Sequence, residues 1–280
     1  MNSNRKNQKC PCGSGRKLRY CHGRKLNLPA PDRVCSIDID SKNNNIIVVS
    51  KDMLINQLKR DGPKIAKSFD KILSKDIDEI SELFSVSSSL LRRHFKPNDK
   101  SFKSTCAGLL SSSQTTFLAS IEVARHGFRL PYGTLARQII ETLCTILDLA
   151  TDEESLSKFH DGNLKSTKSV TKAKKLIPNI GEIYGMYSNE FTHISNTHSK
   201  LHPVSLYKES DSELGFILPS IKSNTWMIYI ISELIFHNDI SQPRYWKSDG
   251  NNGYNFAPSD EEIAWAERFL GTPTMKTETN

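Results

Sequence analysis

Cys10, Cys12, Cys21 and His22 sit close together in a stretch too short to build a core. The spacing is C-x-C-x8-C-H, within Lys9-Cys10-Pro11-Cys12-Gly13-Ser14-Gly15-Arg16-Lys17-Leu18-Arg19-Tyr20-Cys21-His22-Gly23. Three thiolates and one imidazole form a Cys3His donor set, which suits a tetrahedral structural zinc ion. Gly13 and Gly15 allow the chain to reverse between the two ligand pairs, because glycine takes positive φ at little cost. Such a loop obtains most of its folding free energy from the metal. Four protein donors close the coordination shell, so this site reads as structural, whereas a catalytic metal keeps a position open for water or substrate.

The charge around the motif is one-sided. The chain carries a net charge of +7, yet residues 1–31 contain Arg5, Lys6, Lys9, Arg16, Lys17, Arg19, Arg24 and Lys25 and no acid before Asp32. The rest of the chain is therefore close to neutral. A compact basic module attracts polyanions, which makes RNA, a ribosome or an acidic protein surface the expected partner. Arg16, Lys17, Arg19, Arg24 and Lys25 are the candidate contact residues. No apolar stretch is long enough for a membrane span; Trp226–Phe236 is the best, and it is short and interrupted by Glu233. The polar N-terminus is unlike a secretory signal, and six cysteines in a cytosolic chain, three of them within twelve residues, argue against a disulfide framework. A cytoplasmic location is the resulting expectation. Cys106 and Cys144 lie among apolar residues and read as small buried hydrophobes.

Beyond the motif the pattern is mainly α, with one or two short β-hairpins. The expected organisation is a metal module over 1–25, a linker over 26–33 with Pro29 and Pro31, a mainly helical domain over 34–272, and a loose tail over 273–280. Val34–Ile39 alternates, Asp40–Asn45 is turn-like and Ile46–Val49 is β-branched, which predicts a hairpin. From Asp52 apolar residues recur at helical spacing. Leu135, Ile139, Leu143, Ile146 and Leu147 form one stripe, and Pro131 marks its start. Thr151–Glu154 is a helix-start signal with acids in the first turn. Trp226–Phe236 is apolar on nearly every side and predicts a central buried helix. Ser205–Pro219, around Asp211–Gly215, reads as a second hairpin.

The N-terminal segment resembles the SEC-C motif, the metal-binding tail of the protein-export ATPase SecA, which is also attached to many unrelated bacterial proteins. The resemblance rests on Cys10, Pro11, Cys12, Gly13, Ser14, Gly15, Lys17, Cys21, His22 and Gly23. Leu18 departs from the usual aromatic, which Tyr20 partly replaces. The resemblance implies a bound zinc, sometimes iron, and docking on the chaperone SecB or on ribosomes.

Polar residues in the body raise a second question. Arg137 and Glu141 are four apart, away from the Leu135–Leu143 stripe, and suit either an i,i+4 pair or a cleft. Further on, Glu190, His193, Asn196, His198 and His202 cluster; if the helix continues, Glu190, His193 and Asn196 or Thr197 share a face. This arrangement loosely resembles helical domains of bacterial antiviral defence and abortive-infection proteins, with an Arg…Glu pair on one helix and a histidine motif on a later one. Some relatives, the HEPN proteins, are ribonucleases built on Arg-x4–6-His, but no arginine lies between residues 138 and 243. If the body cleaves RNA, His193 and His198 are the candidate acid–base groups, and Arg137 would stabilise the developing charge.

Three readings stay open: a metal-binding adaptor that docks the helical domain onto RNA, a ribosome or an acidic chaperone; an RNA-cleaving or other defence-related enzyme; and a scaffold that forms a homo-oligomer through its body. The adaptor leads, because the metal motif is the sharpest signal.

Overall fold

The computed structural model describes residues 8–9, 15–17, 20, 29–40, 45–177, 179–199, 204–212, 214–250 and 253–271. The chain divides into two compact units, Met1–Asp61 and Gly62–Asn280.

In the first unit, β1 (Val34–Asp40) and β2 (Asn45–Ser50) form an antiparallel hairpin. Ile37 opposes Val48 and Ile39 opposes Ile46, so four aliphatic side chains share one face. The open end is tied by the Lys51 amide, which donates to the Arg33 carbonyl at 2.9 Å, and by the ion pair of Arg33 with Asp52. A short helix, α1 (Met53–Asn56), follows.

The second unit is helical: α2 (Gly62–Arg92), α3 (Phe102–Arg125), α4 (Arg129–Thr151), α5 (Glu153–His160), α6 (Ser166–Leu176), α7 (Ile180–Tyr187), α8 (Leu214–Ile235) and α9 (Asp260–Leu270). A small hairpin, β3 (Trp246–Ser248) with β4 (Tyr254–Phe256), lies between α8 and α9 in sequence. The chain is mainly α with two short hairpins, as its periodicities predict. α2 buries Ile65, Phe69, Leu73, Ile80, Leu83 and Leu91 along one stripe. α4 packs against α3, α6, α7 and α8, and α8 also packs against α2 and α3. These two helices therefore form the interior, and α8 is buried without interruption from Asn224 to Glu233.

One sequence expectation fails. Ser205–Pro219 is not a hairpin, because α8 already begins at Leu214 and contains Pro219. Leu214, Ile217 and Ile221 are buried at helical spacing and continue the α8 core face. Pro219 sits in the second turn, where its missing N–H removes a single hydrogen bond near the helix end. The second hairpin is instead Trp246–Phe256, fixed from the interior by Glu233. That carboxylate accepts the amides of Tyr245 at 2.6 Å and Trp246 at 3.1 Å, and the Trp246 indole donates to the Ile230 carbonyl at 2.8 Å.

Lys165–Lys175, polar and basic in sequence, contains most of α6. Its anchor is Asp148, whose side chain is fully buried. The carboxylate accepts from Ser155 of α5 at 2.7 Å, from Ser169 of α6 at 2.8 Å and from the Lys172 ammonium at 2.6 Å. Lys172 also reaches Asp152 at 2.7 Å. Asp152 caps α5 by accepting the Glu154 amide at 3.0 Å, as the acidic start signal predicts. Burial pushes the Asp148 carboxyl up, but Lys172 and the two hydroxyls outweigh it and hold the group below the ordinary carboxylate value.

A depressed folded-state pKa stabilises the protein above the unfolded value of about 3.9, and that contribution is lost as pH falls through the folded value. Asp148→Asn weakens the charge-assisted hydrogen bonds to Lys172, Ser155 and Ser169, so near neutral pH it should cost about 1.5–3 kcal/mol. In thermal denaturation followed from about pH 7 to about pH 3, the gap between wild type and Asp148→Asn should narrow below about pH 4. A gap independent of pH would contradict this role.

Candidate metal motif and interhelical polar site

The four expected metal donors, Cys10, Cys12, Cys21 and His22, lie outside the described residues, as do Arg19, Arg24, Lys25, His202, Pro203 and the tail 273–280. The described residues nearby show how the chain runs. Lys9 and Lys17 are antiparallel bridge partners, so the backbone reverses between them. Gly15 has φ of +69°, a left-handed conformation that glycine adopts without the penalty of a Cβ. The Tyr20 amide then donates to the Lys17 carbonyl at 2.9 Å. A reversal at this place is what the expected pairing of Cys10 and Cys12 with Cys21 and His22 needs. The donor types also fit zinc, with soft thiolates and an imidazole in a tetrahedral set. Arg16 and Lys17 are exposed on this turn, and the Tyr20 ring is 61% exposed.

Among the described residues, no group of three or more His, Cys, Asp or Glu side chains converges to hold a metal. Cys106 and Cys144 are fully buried in α3 and α4, and burial pushes both thiols up to about 12. They are packing residues, as their apolar surroundings predict.

The polar site of the body is assembled on one face of α4. Gly133, Arg137 and Glu141 follow one another at one-turn spacing. Gly133 is the seat for Phe191, since a Cβ there would fall 2.1 Å from the Phe191 ring. Thr134 donates its hydroxyl to the Phe191 carbonyl at 3.1 Å. One turn on, the Arg137 guanidinium donates from Nε to the Ser188 hydroxyl at 3.0 Å and from Nη2 to the Tyr184 hydroxyl at 2.6 Å. Its Nη2 also lies 3.5 Å from Glu141, the i,i+4 pair that the spacing suggests. Ser166, at the start of α6, donates to the other oxygen of Glu141. Arg137 and Glu141 thus link α4 to α7 and α6, and both are about three-quarters buried.

The histidines stand apart from this pair. α7 ends at Tyr187, Ser188–Thr192 forms one wide π-turn, and His193 is extended with ψ of 128°. The helix does not continue, so Glu190, His193 and Asn196 do not share a helical face. The π-turn bulges because it must bring Ser188 to Arg137 and Phe191 to Gly133 within four residues. The His193 side chain is exposed. The His198 ring staples its own loop: Nε2 donates to the Phe191 carbonyl at 3.3 Å, and Nδ1 accepts the Ser195 amide at 3.3 Å. Both contacts require the neutral Nε2–H tautomer. Among the described residues, neither histidine hydrogen-bonds to Arg137 or Glu141.

Sequence reasoning missed the polar group behind this face. Tyr132 and Tyr187 both hydrogen-bond to the Ser220 hydroxyl of α8, with Asn224 fully buried one turn further on. Burial pushes the Tyr187 phenol up to about 12 and Tyr132 well above its ordinary value, so both stay protonated and join α4, α7 and α8 as neutral hydroxyls. The signal was weak, because isolated Tyr, Ser and Asn residues within apolar helices have no diagnostic spacing.

Arg137→Ala should leave α4 intact and loosen α7 and the π-turn. Losing charge-assisted hydrogen bonds of about 1.5–3 kcal/mol predicts roughly tenfold to hundredfold faster amide exchange over residues 184–192. Arg137→Lys should not restore protection, because a single ammonium cannot reproduce the planar fork. Unchanged exchange in Arg137→Ala would remove this residue from the joint.

Residues 7–24 match the SEC-C motif, and this match spans both expected ligand pairs and the chain reversal between them. No curated protein and no solved structure matches the chain. The chain therefore carries an N-terminal SEC-C motif ahead of a mainly helical body.

Proposed function

We propose that this protein is a metal-dependent adaptor. Cys10, Cys12, Cys21 and His22 hold one zinc or iron ion, which folds the basic N-terminal segment into a docking module for RNA, a ribosome or an acidic partner such as a SecB-type chaperone. The observation that carries this reading is the SEC-C match over residues 7–24 in a segment dense in Lys and Arg. The antiparallel approach of Lys9 and Lys17, with Gly15 in the left-handed region, supports it. When bound, the ion supplies structural cross-linking. Three thiolates and a dication leave about one formal negative charge at the centre. Arg16, Lys17, Arg19, Arg24 and Lys25 offset it, keep the surface positive and contact the partner. This role suits a reducing compartment such as the cytoplasm, where the thiols stay available.

The alternative is an RNA-cleaving body that uses Arg137, Glu141, His193 and His198. Arg137 and Glu141 account for themselves as interhelical ties, and the His198 ring is already committed within its loop, so the adaptor reading explains more of the geometry.

Replacing two donors tests the adaptor reading directly. Cys10→Ser with Cys12→Ser should bring bound metal, measured by elemental analysis, from near one ion per chain to near none, and should abolish co-sedimentation with ribosomes or capture of RNA. Far-ultraviolet circular dichroism should stay essentially unchanged, since the helical core lies within residues 62–271. Full partner capture by the metal-free variant would overturn the proposal.

A further inference from the structure

The helical body carries a row of cations that its own packing leaves unneutralised. Lys64, Lys67, Lys71 and Lys75 recur on α2 at i, i+3, i+4 spacing, so they occupy one narrow stripe, about one lysine per turn over roughly 16 Å. All four are exposed, and among the described residues none of them makes an ion pair or a side-chain hydrogen bond.

Two acids that flank the row, Asp70 and Asp76, are engaged elsewhere. Asp70 accepts both Nε and Nη2 of Arg125 on α3, at 2.8 and 2.7 Å. Asp76 pairs with Lys222 of α8 at 2.6 Å. Four lysines elsewhere in the body are paired: Lys103 with Asp239, Lys158 with Glu154, Lys172 with Asp148 and Asp152, and Lys222 with Asp76. The row ends abruptly, since Asp78, Glu79 and Glu82 begin one turn beyond Lys75. α2 therefore displays a cationic segment of about three turns with a defined end.

We infer that Lys64, Lys67, Lys71 and Lys75 form a second docking surface, one that takes the phosphate backbone of a nucleic-acid strand. Four reasons favour this partner. The charges are linear and regularly spaced, as a run of phosphates is. They stand on a rigid helix whose opposite face is locked into the core by Ile65, Phe69 and Leu73. Lysine, a point charge on a flexible stem, contacts phosphates without reading sequence. No exposed large apolar residue lies among the four lysines, so the stripe lacks the insertion face that an amphipathic membrane-binding helix uses. The inference extends the adaptor reading to a second surface and does not depend on the metal motif.

The test uses the full-length chain and a fluorescein-labelled oligouridylate, with anisotropy titrations over a range of salt concentrations. A variant with Lys64, Lys67, Lys71 and Lys75 all changed to Gln should remain folded, since glutamine is as good a helix former as lysine and the sites are exposed. If all four lysines contact phosphates, the slope of log K against log salt should shrink by about 3 in magnitude. Affinity at low salt should fall about tenfold or more. A second variant, with Arg16, Lys17, Arg19, Arg24 and Lys25 changed to Gln, separates this claim from the role of the N-terminal module. If it binds as wild type does while the α2 variant is weakened, the α2 surface stands and RNA docking by the module falls. If the α2 variant keeps the wild-type slope and affinity, this inference is overturned, whatever the module does. Binding to phosphatidylserine vesicles without binding to oligouridylate would overturn it equally, in favour of a membrane.

Discussion

From Asn224 to Glu233 every residue of α8 is buried, and a helix without a polar face must be enclosed on all sides. That requirement organises the body. α2, α3 and α4 supply apolar stripes that surround α8, and α4 is in turn covered by α6 and α7. Each fully enclosed Ile, Leu, Met or aromatic side chain contributes about 1.5–3 kcal/mol relative to exposure. Among the described residues, the buried cluster draws only on those beyond Asp61. The body is thus held by apolar area of its own.

Enclosure also gives value to the few polar groups inside. Asp148 and Glu233 are buried carboxylates, and each is used to attach something that apolar packing alone would leave loose. Asp148 gathers Ser155, Ser169 and Lys172, which fixes two short helices, α5 and α6, each with few buried side chains of its own. Glu233 takes two successive amides at the entry to β3 and so sets the start of a hairpin of two three-residue strands that could not persist in isolation. Arg137 plays the corresponding part for α7 and the π-turn. Buried charges of this kind add specificity of attachment more surely than net stability.

The cations of the chain differ in how they are partnered. Arg137 and Lys222 are largely buried and matched with carboxylates, and Lys172 reaches in to the buried Asp148, whereas the stripe on α2 and the described basic residues Arg16 and Lys17 face solvent. The near-neutral total beyond residue 31 hides the arrangement, because paired and unpaired side chains count alike in a sum. Net charge alone points to the N-terminus; the arrangement of partners adds α2.

Much of this architecture was legible along the chain. The helical stripes, the first hairpin, the Asp152 start signal, the buried run around Trp226 and the Arg137–Glu141 pair all follow from local periodicity and spacing, which act within a few residues and so leave a trace in order alone. The SEC-C motif is of the same kind, since its donors must sit at set intervals to converge. Other features depend on residues distant in sequence. Whether Pro219 ends an element or sits inside one depends on the apolar surface that receives Ile217 and Ile221. Whether Trp246–Phe256 is a hairpin depends on Glu233, although Asp249–Gly250 is a turn signal in hindsight. Where the helix ends before His193 depends on Gly133 and Arg137 drawing Phe191 and Ser188 to α4. Which lysines remain unneutralised depends on Arg125 and Lys222 claiming Asp70 and Asp76 from other helices. Local order decided which segments become helices and where the SEC-C motif lies. Only packing across the chain decided where those helices stop and which charges face water, because a polar group's partner is chosen in space and not in sequence.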